Sequence, residues 1–358
     1  MNMKRILSSL YLVSTFFIYT STTDAKPICM GLFGNSNPAF PFHLQRAEID
    51  FLKFNMPGLE VAAVSDPTLA TGSTLFYFPK GAAAQANASG GSVAAIETTL
   101  LDHGSYSNII DGIVFSGGST MGLAAHGGVR AEIFNERSDN AGDFDFIPSV
   151  PGAVVYDFGQ RLEETQNQKV YPTEEMGRAL FNSRSPNLMP IGRIGAGTST
   201  TANKISKPIW GGQGAAFKSF RWGKIFVAVA LNPVGNVQFS NIDTDRALLQ
   251  PLRDRNGLNK IKAGHNTTLS IVITDLKLDR NQLQRLANSV HTNMAKFISP
   301  FQTYTDGDIL FAVSLGTREF DSNLTHDDIE NYEFQLMQHS INLMGQAIYN
   351  GVQVANKL

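Results

Sequence analysis

The sequence predicts a layered α+β fold in which helices cover a sheet core. Three observations lead there. Strand-like and helix-like segments are mixed without the strict alternation that a doubly wound parallel sheet needs. After residue 267 a strand–helix–strand–helix succession is written in clear periodicities. No repeat or low-complexity tract interrupts the chain after its first 25 residues.

Residues 1–25 stand apart. Lys4 and Arg5 precede the apolar run Ile6 to Tyr19, and Thr23-Asp24-Ala25 sets small residues at the −3 and −1 positions of a cut before Lys26. That layout is a secretory signal peptide, too short to span a bilayer comfortably, so 26–358 is expected as one mature domain in the periplasm or outside the cell. An uncleaved membrane anchor is the competing reading. Residues 59–80 predict two strands around a Pro/Thr/Gly turn, and Ile109 to Ser116 a third. Gly117-Gly118-Ser119 then turns the chain into the small-residue helix MGLAAHGGVRAEIF. Val150 to Phe158 and Phe226 to Asn232 are further strand candidates, and 242–266 is a polar connector. From Thr267 onward Leu269, Ile271 and Ile273 alternate with Thr268, Ser270, Val272 and Thr274, giving a strand with one firmly apolar face. Asp279 can cap a helix bearing Leu283, Leu286, Val290, Met294 and Phe297 at helical spacing. Ile309 to Ser314 is another strand, and Asp327 to Asn350 a final amphipathic helix.

Composition narrows the function. The 358 residues are 42% hydrophobic and 17% charged, as in a soluble globular protein, and a net charge of −2 gives no basic footprint for nucleic acid or a lipid surface. Cys29 is the only cysteine, which excludes an intramolecular disulfide and argues against a catalytic thiol. The seven histidines lack zinc-ligand spacing. Gly192-Arg193-Ile194-Gly195-Ala196-Gly197 is not a G-x-G-x-x-G run, which weakens a nucleotide reading. Ser119 sits at a strand-to-helix turn but not in G-x-S-x-G; the turn's N–H groups are nonetheless candidates to hold an oxyanion.

Asn266-Thr267-Thr268 is chemically richer, because it joins the polar connector to an apolar strand. A threonine hydroxyl needs a base, and a cut before Thr267 supplies one: the new α-amine has an ordinary pKa of roughly 7.7–8.0. The precursor can make that cut itself, Thr267 attacking the Asn266 carbonyl and water resolving the ester. The same tripeptide is also an N-glycosylation sequon, as are Asn87-Ala88-Ser89 and Asn323-Leu324-Thr325. Asp306 and Asp308 flank a glycine just before a strand, close enough for one carboxyl to be raised into a proton-accepting range; an ordinary D-G-D turn reads the same way.

From about Leu59 to Leu315 the chain resembles the L-aminopeptidase/D-esterase (DmpA-type) peptidases, and within them the nylon-oligomer (6-aminohexanoate oligomer) endo-hydrolases. The carriers, in order, include ATGSTLFYFPKGA, SGGSV, DGIVFSGGSTMGLAAHGGV, VPGAVVYDF, GRIGAGTSTTANK, GGQGAAF, VALNPVG, AGHNTTLSIVITD and PFQTYTDGDILFAV. The resemblance implies an α/β/β/α sandwich of the N-terminal-nucleophile type, cut once into chains 26–266 and 267–358 that stay together, with several such units assembled. It implies Thr267 as nucleophile and Asp306 and Asp308 as the acidic pair that orients and activates it. It also implies Tyr156 lining the site, Asn232 donating to the oxyanion, and Lys204 near the nucleophile. Read alone, those last three are a core tyrosine, an Asn-Pro turn and a solvated lysine. In the aminopeptidase branch a serine and a glutamate stand for the acidic pair, so Asp306 leans toward the nylon-hydrolase branch.

The expectation is therefore a self-cleaving amide hydrolase acting on small peptides or amino-acid amides as an aminopeptidase, with no cofactor and no metal. Endo-cleavage of linear oligoamides is the alternative; acyl transfer of the ornithine acetyltransferase kind fits the motif order poorly. An inactive periplasmic binding protein with the same fold is the reading from outside enzymology.

Overall fold

The computed structural model describes residues 49–66, 68–101, 104–138, 147–161, 169–239, 265–320 and 325–356. The leader-like segment, Cys29 and residues 242–264 of the connector lie outside them. The elements that matter here are, in chain order, β1 (Ile49–Lys53), β2 (Glu60–Ser65), β3 (Gly72–Ala88), β4 (Ile109–Ser116), α1 (Ala124–Ser138), β5 (Gly152–Val154), α2 (Glu174–Asn182), β6 (Leu188–Gly192), β7 (Gln213–Ser219), β8 (Lys224–Asn232), β9 (Thr267–Leu276), α3 (Arg280–Asn293), β10 (Ile309–Arg318) and α4 (His326–Ala355).

The strands hydrogen-bond in the order β1–β6–β7–β8–β9–β10–β3–β4–β5, with β2 also on β3. The path folds into two sheets because β3, 17 residues long, serves both. Its first half pairs with β2 and β4, and its second half with β10. Between them the register shifts from Tyr77 to Ala82, and Gly81 takes φ 72°, a left-handed conformation that glycine adopts at little cost.

Alternation along the strands sorts the core into three layers. Phe76, Phe78 and Phe115 of the first sheet face Phe226, Ala228, Ala230, Leu269, Ile271, Ile273, Phe311 and Val313 of the second. Rings join the sheets directly, Phe76 with Phe226 at 6.3 Å and Phe115 with Phe311 at 6.1 Å between centroids. The outer face of the first sheet, with Val64, Leu75 and Val114, packs on Val129 and Ile133 of α1 and Leu180 and Phe181 of α2. The outer face of the second, with Val227, Val229, Val272 and Ala312, packs on Leu283 and Val290 of α3 and Met344 and Ile348 of α4. The result is the four-layer α/β/β/α sandwich.

Capping follows the sequence. Asp279 and Gln282 form a reciprocal capping box on α3, and Thr325 and Asp328 another on α4. The strand expected over Val150 to Phe158 is shorter, Gly152–Val154 only, because Asp157 leaves the ladder for side-chain partners described below. Every residue of β9 is buried, so the face carrying Thr268, Ser270 and Thr274 is covered by helices. Among the described residues no helix is long and apolar enough to cross a membrane.

Candidate active site

Asn232 and Thr267 are register partners on the antiparallel pair β8–β9. Asn232 shares the parity of Phe226, Ala228 and Ala230, and Thr267 that of Leu269, Ile271 and Ile273, so both sit on the inter-sheet side at one end of the sandwich. The parallel pair β9–β10 extends upstream as a bridge between Asn266 and Asp306, which brings the acidic loop beside the start of β9. Two sequence-distant segments thus meet because three neighbouring strands end together.

Within the unbroken chain the Thr267 hydroxyl donates to the Asn266 carbonyl oxygen at 2.5 Å. The backbone N–H of Gly307 donates to that same oxygen at 2.7 Å. Sequence reasoning missed Gly307, whose only mark was its place between two aspartates. A Cβ there would stand 2.7 Å from the Thr267 Oγ1 and 2.7 Å from the Ser92 carbonyl oxygen, so glycine is what lets the loop approach. Gly90 and Gly91 allow the same approach from the other side: a Cβ on Gly90 would meet the Asp308 nitrogen at 2.2 Å.

Asp306 and Asp308 are both buried, and their carboxylates hold backbone. Asp306 accepts from the Val234 N–H at 3.0 Å and from the Thr303 hydroxyl. Asp308 accepts from the Thr268 N–H at 2.6 Å and the Gln302 N–H at 3.0 Å, which fixes the first turn of chain after the Asn266–Thr267 bond. Burial, with the Asp306 charge beside it, raises the Asp308 carboxyl well above the usual carboxylate range, and the N–H donors pull the other way.

Lys204 lies in a tight turn closed by the Ser206 N–H on the Asn203 carbonyl, and Asn203 adopts φ 60°, a conformation asparagine tolerates better than most residues. Its Nζ donates to the Asn232 carbonyl at 2.8 Å, the Asn232 Oδ1 at 2.9 Å and the Asn266 Oδ1 at 3.1 Å, and lies 3.5 Å from the His265 carbonyl oxygen. Burial lowers its pKa to about 7, against the opposing pull of Asp306 and Asp308. The half-buried side chain therefore lies among the polar groups around Asn232 and Asn266 and is not the solvated surface lysine of the alternative reading. The Asn232 amide is fully engaged here: Nδ2 donates to the Tyr156 carbonyl at 2.9 Å and the His265 carbonyl at 3.3 Å, and Oδ1 also accepts from the Thr201 N–H. Its amide thus donates one residue upstream of the Asn266 carbonyl.

Tyr156 stacks on the His265 ring, centroids 3.8 Å apart and planes 11° apart. Its segment is clamped by Asp157, which accepts from the Thr71 hydroxyl at 2.5 Å, the Gly118 N–H at 3.0 Å and the buried Arg161 at 3.1 Å. Burial raises the Asp157 pKa, though Arg161 opposes it. That clamp also answers the expectation for the glycine turn. Gly117 N–H goes to the Gly72 carbonyl, Gly118 N–H to Asp157 and Ser119 N–H to the Val155 carbonyl, so these donors are spent on structure.

The chain as a whole is similar to known proteins. Residues 55–358 match peptidase family S58. The 6-aminohexanoate-oligomer endohydrolase of Paenarthrobacter ureafaciens is 32% identical over 300 residues, covering 78% of this chain and 80% of the relative. An uncharacterised aminopeptidase of Mycobacterium bovis is 27% identical over 264 residues, covering 69% and 74%. Among solved structures, a Burkholderia sp. beta-aminopeptidase superposes with TM-score 0.57 at 15% identity, covering 84% of each chain. The L-aminopeptidase D-Ala-esterase/amidase of Ochrobactrum anthropi, described as a variant of the Ntn hydrolase fold, gives 0.55 at 15%, covering 86% and 88%. With its family match running from residue 55 to residue 358, the chain belongs to peptidase family S58.

Proposed function

We propose that this peptidase-family chain is an amide hydrolase that activates itself by breaking Asn266–Thr267 and then uses Thr267 as its nucleophile. The observation that carries the reading is the meeting of the Thr267 hydroxyl and the Gly307 N–H on one carbonyl oxygen, that of Asn266. Attack of Oγ1 on the Asn266 carbonyl carbon forms an ester and breaks the C–N bond. The hydroxyl proton ends on the departing Thr267 nitrogen, and one water then hydrolyses the ester to free the Asn266 carboxylate. The oxygen that becomes negative during attack already has a backbone donor.

After the cut, the Thr267 amine is the built-in base for later substrates, and Lys204 in its charged form lowers its pKa toward the free base. Asp308 holds the Thr268 N–H and hence the new chain end. Its raised pKa suits it to relay a proton near neutral pH. Substrates are small peptides or amides. Removal of single amino-terminal residues accords with the relatives named aminopeptidases, and internal cleavage of oligoamides with the 32% identity to the oligomer endohydrolase. The leader-like first 25 residues favour a periplasmic or secreted enzyme, and we expect an assembly of two-chain units.

The test is a denaturing gel with mass analysis of the parent and Thr267→Ala. The parent is expected to give fragments ending at Asn266 and beginning at Thr267, the variant one intact chain. Two fragments from the variant would assign the cut to an outside protease and overturn the mechanism.

A further inference from the structure

The two residues before the scissile bond lie in the site as a ligand would. Asn266 bridges to Asp306, its carbonyl takes the Gly307 N–H at 2.7 Å, and its side-chain oxygen takes Lys204 at 3.1 Å. One residue further out, the His265 carbonyl takes the Asn232 amide at 3.3 Å, with Lys204 at 3.5 Å. The His265 ring lies flat on Tyr156, centroids 3.8 Å apart. Tyr156, Lys204, Asn232 and Gly307 belong to the body of the fold and stay behind when the tail withdraws. Thr267 is fixed at the start of β9, so any later carbonyl must reach the point that the Asn266 carbonyl occupies.

We propose that these groups form a two-position subsite for the acyl side of the substrate. The unit transferred to Thr267 sits where Asn266 lay. The unit before it is held by its carbonyl on Asn232 and Lys204, and by a planar side group on Tyr156. The proposal rests on the self-cleavage reading, in which the tail is the first acyl group the site processes. A lone amino-terminal residue has no carbonyl for Asn232 at the outer position and no ring for Tyr156. Chains with at least two units on the acyl side, the outer one carrying an imidazole or phenyl ring, satisfy both.

The tail itself provides the first test. Time courses of self-cleavage are compared for His265→Phe and His265→Ala, each with Tyr156 and with Tyr156→Leu. A stacked pair of this kind is worth a factor of about 2 to 10, so Phe is expected to cleave about five-fold faster than Ala beside Tyr156, and equally fast beside leucine. The mature parent is then given acetyl-Phe-Asn and acetyl-Ala-Asn anilides, with the same ratio expected, and the same loss of it in Tyr156→Leu. Equal rates for Phe and Ala in the parent, a preference that survives Tyr156→Leu, or failure to hydrolyse either anilide would overturn the subsite. A parent that never breaks at Asn266–Thr267 would instead remove the self-cleavage reading, and the subsite with it.

Discussion

Adding one methyl group at Gly307 puts the central geometry at risk. An alanine Cβ would stand 2.7 Å from the Thr267 Oγ1, about 0.7 Å short of the 3.4 Å at which ordinary contact begins. The Ser92 carbonyl oxygen blocks retreat on another side at the same 2.7 Å. Either the hydroxyl rotates off the Asn266 carbonyl or the loop carries its N–H away from the carbonyl oxygen. Displacing a reacting group by 1 Å costs about 100-fold in rate, and losing an oxyanion donor about 100- to 1,000-fold. Gly307→Ala should therefore slow self-cleavage about 100-fold, read as the decay of the intact band after cell-free synthesis. Gly104→Ala is the control, since its Cβ meets nothing within 4 Å. A melting transition kept near the parent's would show that the variant folds. Cleavage within threefold of the parent rate would refute the claim that Gly307 abuts the reacting hydroxyl.

Three further outcomes follow from the same geometry. Asp306→Asn removes the charge that helps raise the Asp308 pKa, so the acid limb of the pH profile for substrate hydrolysis by the cleaved protein should move to lower pH; an unmoved limb would separate the two carboxyls. His126, buried between the Val114 and Leu123 carbonyls, has its pKa lowered to about 4 by burial. The unfolded chain binds that proton near pH 6.5 and the fold does not, so the parent should lose up to about 3 kcal/mol as pH falls from 6.5 to 4. His126→Gln should lack that part of the slope in denaturant titrations at pH 7.5 and 4.5. Asp157→Asn leaves the Arg161 guanidinium buried without its counter-charge and should cost about 3 kcal/mol in thermal unfolding, with self-cleavage slowed as Tyr156 loosens. Unchanged stability there would mean that its other contacts, the Val170 carbonyl and the Phe158 ring among them, suffice to hold Arg161.

Much of this was legible in the sequence wherever one period dominated. Leu269, Ile271 and Ile273 fixed the inward face of β9, and Asp279 marked the start of α3. Hidden features needed partners far away in the chain. Thr268, Ser270 and Thr274 resemble a solvent face, yet α3 and α4 cover them, and only packing reveals it. β6 was masked by Pro190 inside it, and β7 by its Gly-Ala-Ala run. Helix α2, nine residues long, offered too short a period to read. Thr267, Asp306, Asp308, Asn232, Tyr156 and Lys204 do converge on one end of the sandwich. Their contacts, such as Thr71 with Asp157 across 86 residues, follow from strand order and from no local pattern.

β9 and β10 lie in the interior of the second sheet, between β8 and β3. A break before Thr267 would leave both neighbours on the other fragment, so each piece would keep a strand missing from the other's ladder. Folding of the intact precursor is an intramolecular search, but refolding of the cut protein would require two molecules to find each other. Its midpoint would then depend on concentration, and its lifetime on the barrier to unfolding. Maturation would thus tie refolding to concentration, a dependence that the precursor does not have.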